Sequence, residues 1–282
     1  MNRPDYFVIG TVTKDVIPGG YRPGGTVTYS SVTVQRLGLQ AGVVTRADPE
    51  MDFSLLTSRG ILVASAPSRE TTTFENIYDG GSRTQYVRAV SDAIQDADVP
   101  ESWRTAPIVH LGPLAQEMDE GIVHLFPGSL IGVTPQGWMR QWDATGRVSP
   151  TVWQGARKLL PHADVLVISE EDIGGDTHLV DEYVRLARIV IVTNGWEGST
   201  VYADGERRQV PPRRASVEVD PTGAGDVFAA AYLVALHEQD NPFKAARFAN
   251  VVASFSVEAY GIDGIPTRQQ VLDYLAQSGD LW

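Results

Sequence analysis

Four runs of consecutive apolar residues restrict the fold of this chain more than any other feature. They lie in the segments PIVHLGPL, SLIGVTP, ADVLVIS and RIVIVTNG, which cover residues 107–114, 129–135, 163–169 and 188–195. A strand covered on both faces is apolar at nearly every position, whereas a half-exposed strand alternates apolar and polar residues. Strands of the first kind belong to mostly parallel sheets with helices on both faces, so the sequence predicts an α/β fold.

The N-terminal part of the chain adds further strands to this sheet. Tyr6 to Ile9 and Ala41 to Thr45 are short apolar runs, and Ile61 to Ser65 is another. Between the first two, the segment TVTYSSVTVQRLGL has apolar residues at helical spacing and ends near Gly38. Strands that alternate with helices in this way indicate βαβ units in one parallel sheet.

A different pattern interrupts this series at residues 71–87, TTTFENIYDGGSRTQYV. β-Forming residues stand on both sides of Asp79-Gly80-Gly81, a sequence typical of a hairpin turn. An antiparallel hairpin does not belong inside a parallel sheet. The residues leave two interpretations open, an excursion at the sheet edge and a small lid over a site.

The C-terminal part contains the remaining predicted elements. Two short strands flank a turn at Ala203-Asp204-Gly205, and Val217 to Val219 is a strand-like tail before a glycine-rich loop. Helices are predicted over Asp226 to Glu238 and over Pro242 to Glu258. Because no repeat, low-complexity tract or linker separates these parts, we expect a single domain over residues 1–282.

The composition excludes several classes of function. A formal net charge of −12 and a pI of about 4.8 argue against a nucleic-acid-binding protein. The chain has no cysteine, so disulfides, thiolate nucleophiles and cysteine zinc sites are excluded. Because the sequence shows neither a signal-peptide core nor an apolar run of membrane-spanning length, we expect a cytoplasmic protein without a membrane partner.

The segment VDPTGAGDVF, residues 219–228, is the strongest functional signal. Gly223 and Gly225 allow the backbone to turn successive N–H groups toward one point, and the helix that follows adds the positive end of its dipole. The loop can therefore hold a phosphate in spite of its acidic neighbours. Asp226 is then either the N-cap of that helix or a general base beside the phosphate, and the residues alone leave both roles open.

Two common nucleotide-binding motifs do not occur. The sequence contains no G-x-x-x-x-G-K-[ST], which excludes a Walker-type loop. The segment GTVTKD, residues 10–15, lacks the glycine fingerprint that a dinucleotide-dependent oxidoreductase needs after its first strand. In GAGDVF, Phe228 stands where that fingerprint has its third glycine.

VDPTGAGDVF and the small-residue helix AAAYLVAL together resemble the C-terminal signature of the ribokinase-like, or PfkB-type, carbohydrate kinases. In the expected order, PGGTVTYSSVTVQRLGLQAGVVTRA resembles the double-glycine segment of that family, TTTFENIYDGGSRTQ its lid hairpin, and VTNGWEGSTVY its nucleotide-binding turn. The resemblance implies ATP-dependent phosphorylation of a hydroxyl on a sugar, polyol or nucleoside. It also implies a ribokinase-like three-layer sandwich, with a central mostly parallel sheet, helices on both faces, and a small β lid with strands near residues 15–26 and 71–90.

The resemblance further implies which residues carry the chemistry. Asp226 is the expected catalytic base, and the N–H groups of Gly223, Ala224 and Gly225 are the expected anion hole, which stabilises charge as it develops on the transferred phosphoryl group.

The acceptor is expected to contact a second group of residues. Asp15 and the pair Gly24-Gly25 match the positions that hold substrate hydroxyls, and a carboxylate suits that role because it accepts two hydroxyl hydrogen bonds. Some sugar-acid kinases of the family have Asp-Pro-Asn and a later Arg after the middle strand, where this chain has Thr-Pro-Gln. Gln136 and Arg140 are therefore further candidate substrate ligands.

The donor is expected to contact a third group. Gly195 and Gly198 match the nucleotide-binding turn, with Thr193 at its mouth, and Asn250 matches the region that lines the adenine pocket. As a residue in the middle of a helix, Asn250 could equally be a structural side chain.

The resemblance is weakest at the metal site. The family often has Asn-x-x-Glu after the strand that here reads VLVIS, whereas this chain has Ser-Glu-Glu-Asp at residues 169–172. Asp172 or Glu171 is the expected oxygen ligand of a hydrated Mg²⁺. Acidic residues also favour helix N-termini, so a solvated helix start is the alternative.

The acceptor is predicted from shorter segments. SEEDIGG, VTPQGWMR and VDPTGAGD resemble the inositol-kinase branch that includes the plant enzymes, so myo-inositol is the favoured acceptor. Ribose, fructose and nucleosides stay open, and Tyr21, Tyr29 and Phe74 could stack on a nucleoside. A non-catalytic sugar- or nucleotide-binding member of the family is a further alternative, which the intact loop disfavours. Lid hairpins of this family can pair between subunits, so we also expect that a homodimer could form through the lid.

Overall fold

The computed structural model describes residues 2–79 and 82–279, so Gly80 and Gly81 of the predicted hairpin turn lie outside the described residues. Its strands, in chain order, are β1 (Tyr6–Ile9), β2 (Thr13–Ile17), β3 (Gly20–Gly24), β4 (Ala41–Ala47), β5 (Leu62–Pro67), β6 (Thr73–Asp79), β7 (Ser82–Ala89), β8 (Ile108–Leu111), β9 (Leu130–Val133), β10 (Arg140–Trp142), β11 (Val148–Pro150), β12 (Val165–Ser169), β13 (Ile189–Thr193), β14 (Ser199–Ala203) and β15 (Glu206–Val210).

The α-helices are α1 (Thr26–Arg36), α2 (Ser54–Thr57), α3 (Ala156–Leu159), α4 (Glu170–Ile173), α5 (Thr177–Leu186), α6 (Ala224–Gln239), α7 (Pro242–Ser256) and α8 (Arg268–Ser278). Short 3₁₀ helices lie at residues 96–98, 101–103, 120–125, 136–139, 160–162, 195–197 and 261–264. In the part of the chain that the structure describes, no helix is long and apolar enough to cross a membrane.

A nine-stranded sheet forms the middle of the molecule, in the order β15-β14-β13-β12-β9-β8-β1-β4-β5. The pairs from β13 to β5 are parallel, and β14 and β15 add two antiparallel strands at one edge. The four apolar runs of the sequence supply the adjacent strands β8, β9, β12 and β13. The prediction of a parallel sheet from these runs is confirmed, because strands in the middle of the sheet are covered on both faces.

Two apolar clusters cover the two faces of this sheet. Tyr6 and Val8 of β1 belong to a cluster that includes buried side chains of α1, α6 and α7. Phe7 and Ile9 of the same strand belong to the other cluster, which contains Trp103 and parts of α3 and α5. Successive residues of a strand point to opposite faces, so β1 contributes to both cores and the molecule has three layers.

A separate four-stranded sheet, in the order β3-β2-β6-β7, stands outside the central sheet. The hairpins β2–β3 and β6–β7 are antiparallel, and β2 pairs with β6 in parallel. The two strands predicted from the segment 71–87, β6 and β7, therefore belong to a small second sheet and not to the edge of the large one. We call this four-stranded sheet the lid.

The predicted strand-like tail at Val217 to Val219 is wrong. These residues have no regular secondary structure, and the side chains of Val217 and Val219 are exposed. The N–H groups of Val219 and Asp220 both donate to the backbone oxygen of Val257, just beyond α7, so this backbone is held by a helix end instead of a neighbouring strand. The two-stranded sheet of β10 and β11 was not expected from the sequence pattern.

Candidate active site

The glycine-rich loop leads directly into α6. Gly223 is the N-cap of this helix and has a left-handed backbone conformation, with φ of 78° and ψ of 0°. A Cβ atom at this position would lie 2.3 Å from a ring carbon of Tyr29. Both the backbone angle and the packing against Tyr29 therefore require glycine. The N–H of Ala224 donates to the backbone oxygen of Pro221 at 3.2 Å, a bond that a bound phosphate oxygen would have to share or replace.

Asp220 holds the loop in place. One carboxylate oxygen accepts the N–H of Thr222 at 3.0 Å, and the other accepts the N–H of Gly261 at 3.0 Å. The guanidinium of Arg22, on lid strand β3, lies 3.7 Å from the second oxygen. Asp220 thus ties the loop to the turn after α7, and Arg22 brings the lid close to the same point.

Asp226 occupies the first turn of α6, three residues after the N-cap, so its interpretation as the N-cap is wrong. Burial raises the pKa of its carboxyl to about 6. A hydrogen bond from the Thr26 side chain and the charge of Arg140 lower that pKa, while the negative charges of Asp172 and Asp15 raise it. A carboxylate with this pKa is ionised at neutral pH and still basic enough to accept a proton from a hydroxyl.

Asp15 lies on lid strand β2, and its charge raises the pKa of the Asp226 carboxyl group. Its Oδ1 accepts the hydroxyl of Thr13 at 2.9 Å. A Cβ atom on Gly24 would lie 2.3 Å from the other carboxylate oxygen, so Gly24 leaves room for the Asp15 side chain. Gly25 has a φ of 85°, and a Cβ there would lie 2.6 Å from the backbone oxygen of Thr11. The glycine pair is therefore required by the close approach of the lid to the start of α1.

Gln136 and Arg140 approach the same region after strand β9. The Nε2 of Gln136 lies 3.5 Å from Oδ1 of Asp172, and the guanidinium of Arg140 lies 5.7 Å from the ring centre of Phe74 in the lid. Both candidate acceptor ligands thus connect the end of the central sheet to a neighbouring element, α4 in one case and the lid in the other.

The first turn of α4 carries three acidic residues, Glu170, Glu171 and Asp172, whose side chains have different surroundings. Asp172 completes the capping box of α4, in which Ser169 is the N-cap and the Oδ2 of Asp172 accepts the N–H and the hydroxyl of Ser169. The charge of Asp172 also raises the pKa of Asp226. Glu170 is exposed and accepts the side-chain amide of Asn194 at 3.3 Å. Glu171 is exposed, and no described contact joins it to the other carboxylates.

Among residues 2–79 and 82–279, no group of three or more His, Cys, Asp or Glu side chains could hold a metal ion by itself. Mg²⁺ in phosphoryl-transfer sites commonly binds one or two carboxylates together with substrate phosphates. Asp172, with one oxygen engaged by Ser169 and the other facing Gln136, fits that limited requirement better than Glu171 does.

The residues predicted to bind the phosphate donor contact mainly backbone atoms of neighbouring strands. Thr193 ends β13 and donates its hydroxyl to the backbone oxygen of Ile168 at 3.3 Å. Gly195 and Gly198 both have positive φ, of 53° and 91°, at the turn before β14. A Cβ on Gly198 would lie 2.3 Å from the backbone oxygen of Val210. The turn therefore packs closely on the end of β15.

The side-chain amide of Asn250 makes its hydrogen bonds within the protein. It lies buried on α7, and its Nδ2 donates to the hydroxyl of Ser199 at 3.1 Å and to the backbone oxygen of Val210 at 2.9 Å. A third, longer contact of 3.4 Å reaches the backbone oxygen of Pro211. These bonds connect α7 to β14 and β15, so the structural alternative for Asn250 has direct support.

Sequence reasoning missed several side-chain contacts of the site. Thr26 bonds to the carboxyl of Asp226, Tyr29 packs on Gly223, Arg22 approaches Asp220, and Glu170 contacts the donor turn. A signal existed for Thr26, which directly follows the Gly24-Gly25 pair. The other contacts join residues far apart in the chain and leave no local pattern.

Comparisons with known proteins agree with this architecture. A sequence profile of the pfkB family carbohydrate kinases matches residues 139–268. The cytidine kinase of Thermococcus kodakarensis is 24% identical over 253 residues, which cover 81% of this chain and 87% of the relative. The inositol 3-kinase of Arabidopsis thaliana is 26% identical over 250 residues, which cover 84% of this chain and 68% of the relative.

Among solved structures, a pyrophosphate-dependent kinase in the ribokinase family, complexed with a pyrophosphate analog and myo-inositol, has a TM-score of 0.78 and 26% identity. The match covers 95% of this chain and 99% of that chain, which confirms the ribokinase-like α/β fold. These relatives and this neighbour are kinases.

Proposed function

We propose that this protein, which carries a PfkB-family domain and has kinases across the ribokinase family as homologues, phosphorylates a hydroxyl of a small sugar or polyol, with myo-inositol the favoured acceptor. The observation that carries the proposal is the position of Asp226. Burial raises the pKa of its carboxyl to about 6, and it lies three residues after the left-handed glycine N-cap of α6. A proton acceptor and an anion-binding helix start thus occupy one turn of helix.

The reaction uses these two features together. Asp226 takes the proton of the acceptor hydroxyl as the acceptor oxygen forms a bond to the terminal phosphorus of the donor, while the bond from that phosphorus to the leaving phosphate oxygen breaks. The N–H groups at Gly223 to Gly225 and the start of α6 hold the transferred group and offset its charge. Asp226 faces the hydroxyl and not the phosphate, so its own negative charge does not oppose the transfer.

The acceptor is proposed to bind between the lid and the end of the central sheet. Asp15 supplies carboxylate oxygens for two neighbouring hydroxyls, and Arg140 and Gln136 supply donors from the opposite side. Asp15 and Arg140 both influence the pKa of Asp226, which supports a shared pocket.

Mg²⁺ is proposed to bind at Asp172 and the donor phosphates, where it would neutralise phosphate charge during transfer. Asp172 keeps one carboxylate oxygen directed toward Gln136 while Ser169 engages the other, so the protein holds this side chain in place before any ligand binds.

ATP is the donor that the sequence predicts, and pyrophosphate is a second candidate. Three solved structural neighbours at 25% to 26% identity are described as pyrophosphate-dependent. In addition, the amide donors of Asn250, the residue predicted to line an adenine pocket, are directed at Ser199 and at backbone oxygens. Both observations weaken the case for a base-specific donor site, while the glycine loop suits either donor.

A donor and acceptor panel tests the proposal. Phosphate transfer from ATP and from pyrophosphate is measured with inositols, pentoses, hexoses and nucleosides, and the products are identified by ³¹P NMR. We expect the highest kcat/KM with myo-inositol. Transfer to a nucleoside alone would replace the acceptor assignment, and binding without transfer to any acceptor would favour the non-catalytic alternative.

The predicted homodimer through the lid stays a prediction. Val16, Ile17, Tyr21 and Ile77 are exposed apolar side chains of the lid strands, which agrees with a covered surface in a dimer. Light scattering of the wild type and of Ile17→Asp tests it, because a lid dimer would dissociate in the variant.

A further inference from the structure

One buried carboxylate joins two loops at the ends of neighbouring strands. Glu117 is 2% exposed and lies in residues 112–117, the segment after β8, which we call the β8 loop. Its Oε1 accepts the N–H of Thr11, just after β1, at 3.0 Å and the N–H of Leu114 at 3.0 Å. Its Oε2 accepts the N–H of Ala115 at 2.6 Å and lies 3.1 Å from the nitrogen of Leu114. Backbone N–H groups therefore occupy both oxygens.

These hydrogen bonds require a carboxyl group in this place. Burial raises the pKa of the Glu117 carboxyl, and the hydrogen bonds from the N–H groups of Ala115, Leu114 and Thr11 lower it. A carboxylate accepts at both oxygens, whereas an amide of the same shape presents an NH₂ group at one of the two positions. An amide would therefore set its own hydrogens against at least one of the backbone N–H groups.

The two segments that this carboxylate joins also pack against the double-glycine pair. A Cβ atom on Gly25 would lie 2.6 Å from the backbone oxygen of Thr11 and 3.2 Å from Cδ1 of Leu114. The backbone at Gly25 thus approaches both segments at once. Displacement of either segment would change the space at the start of α1, where Gly24 and Gly25 are expected to contact acceptor hydroxyls.

The β8 loop also contacts the other residues proposed to bind the acceptor. The N–H of Gly137, which follows Gln136, donates to the backbone oxygen of Pro113 at 2.8 Å. Gln116 has a positive φ of 56° and donates its side-chain amide to the backbone oxygen of Arg140. The loop therefore holds the backbone beside both Gln136 and Arg140.

The lid packs on the same loop. Leu114 and Ala115 form a separate apolar cluster with Phe74 of β6 and Val87 of β7. All four side chains are buried. Two of the N–H groups that Glu117 binds thus belong to the residues on which the lid packs.

We propose that Glu117 is a positioning residue, whose carboxylate fixes the β8 loop and through it the acceptor pocket and the lid. The inference rests on the proposed function, because that function assigns the acceptor to this pocket. Gly198, in the donor turn, packs instead on the end of β15, so the shape of that turn should not depend on Glu117. An acceptor binds only the fraction of molecules whose pocket has the correct arrangement. A loosened β8 loop therefore lowers the apparent affinity for the acceptor and not for the donor.

The kinetic test compares Glu117→Gln with a matched control, Asp164→Asn. Asp164 also accepts a backbone N–H from a neighbouring strand, that of Ile131 at 2.9 Å, but it precedes β12 and so lies at the opposite ends of the parallel strands. In Glu117→Gln, we expect the KM for the acceptor to rise about tenfold, with kcat within about threefold and the KM for the donor within about twofold of the wild type. Asp164→Asn should keep all three wild-type values.

Hydrogen exchange supplies a readout that does not depend on transfer. The amides of Thr11, Leu114 and Ala115 should be protected in the wild type and should exchange about tenfold faster in Glu117→Gln. The lid strands β6 and β7 should also exchange faster in this variant than in Asp164→Asn, while α5 and α7 should not. Absence of transfer to any acceptor in the wild type would overturn the proposed function, whereas these rates still decide whether Glu117 holds the loop and the lid.

The proposal is overturned if Glu117→Gln raises both KM values equally, if it leaves the acceptor KM and the exchange of the lid unchanged, or if the wild-type amides of Leu114 and Ala115 are unprotected. Should Glu117→Gln not fold, Gln116→Asn tests the same loop at an exposed position. Asn tolerates the left-handed backbone, and its shorter side chain loses the contact with Arg140. A higher acceptor KM at constant donor KM is then expected, and an unchanged acceptor KM would reject the proposal.

Discussion

The acceptor side of the candidate site consists mainly of charged side chains, whereas the donor side consists mainly of glycine-rich backbone. On the acceptor side, charged side chains from four separate elements influence one another: Asp15 from the lid, Arg140 after β9, Asp172 from α4 and Asp226 from α6. On the donor side, glycines with positive φ shape the backbone, and the one buried polar side chain proposed there, Asn250, bonds to the protein.

The two sides of the site should therefore respond to different kinds of substitution. Chemistry on the acceptor side depends on the charge and pKa of particular side chains, so isosteric changes should alter turnover without altering the fold. The donor side depends on backbone shape, so the changes that matter there are those that add a Cβ atom or release a packed segment. Each of the following predictions tests one part of this comparison.

The largest effect is expected for Asp226→Asn. The substitution keeps the shape of the side chain and removes the proton acceptor, so kcat should fall about 10²- to 10⁴-fold. Donor binding, measured by calorimetry, should be retained. Because burial disfavours the charged carboxylate, the thermal midpoint at pH 7 should be equal to or higher than that of the wild type. Near-normal turnover in this variant would remove Asp226 from the mechanism.

The second prediction contrasts two glycines of one loop. Gly223→Ala places a methyl group against the ring of Tyr29 and in a left-handed conformation, whereas a Cβ on Gly225 meets no atom within 4 Å. Strain of about 1–3 kcal/mol at such a position corresponds to about 5- to 150-fold, and we expect a loss in this range for donor kcat/KM in Gly223→Ala. Gly225→Ala is the control, with a smaller loss. Equal losses in the two variants would mean that the backbone shape at Gly223 is not the important property.

The third prediction concerns pH. The pKa of Asp226 is raised to about 6, so its basic form is present above that pH and is lost as the pH falls through it. The kcat/KM should decrease about tenfold per pH unit below about 6. Stability changes in the opposite sense, since the protonated carboxyl is the form that the folded protein favours, and this contribution is lost as the pH rises through about 6. A profile that stays flat between pH 5 and pH 7 would contradict the role of this carboxyl group.

The smallest effect on turnover is expected for Asn250→Ala. Loss of the amide leaves the backbone oxygen of Val210 without this donor, which should lower the free energy of unfolding by about 1–3 kcal/mol. The KM for the donor should change less than about threefold. Chemical denaturation and donor kinetics together check this prediction. A large increase in donor KM at unchanged stability would restore Asn250 as a donor ligand.

Some features followed from the sequence because they depend on neighbours in the chain. The strand at Tyr6–Ile9 and the helix that starts at Thr26 lie where their apolar spacing predicts. The strand predicted at Val217 to Val219 does not form, because a local preference for extended backbone does not supply a neighbouring strand. A β-prone tripeptide forms a strand only beside another strand, and here the chain instead runs beside the end of α7. The N-cap also differs from the local expectation, because Gly223 occupies that position and Asp226 lies one turn inside.

Local patterns in the chain were enough to predict the sheet and the loop, since loss of alternation marks strands covered on both faces and paired glycines mark a backbone that other residues rarely adopt. The contacts between side chains that are distant in the chain follow from the folded arrangement of the elements. This arrangement separates Asp172 from Glu171, brings Thr26 to Asp226, places the amide of Asn250 against β15, and joins Thr134 to Tyr6 through His110. The physical reason is that conformational preferences act over a few residues, whereas these contacts depend on strand order and on the crossovers that carry helices over the sheet.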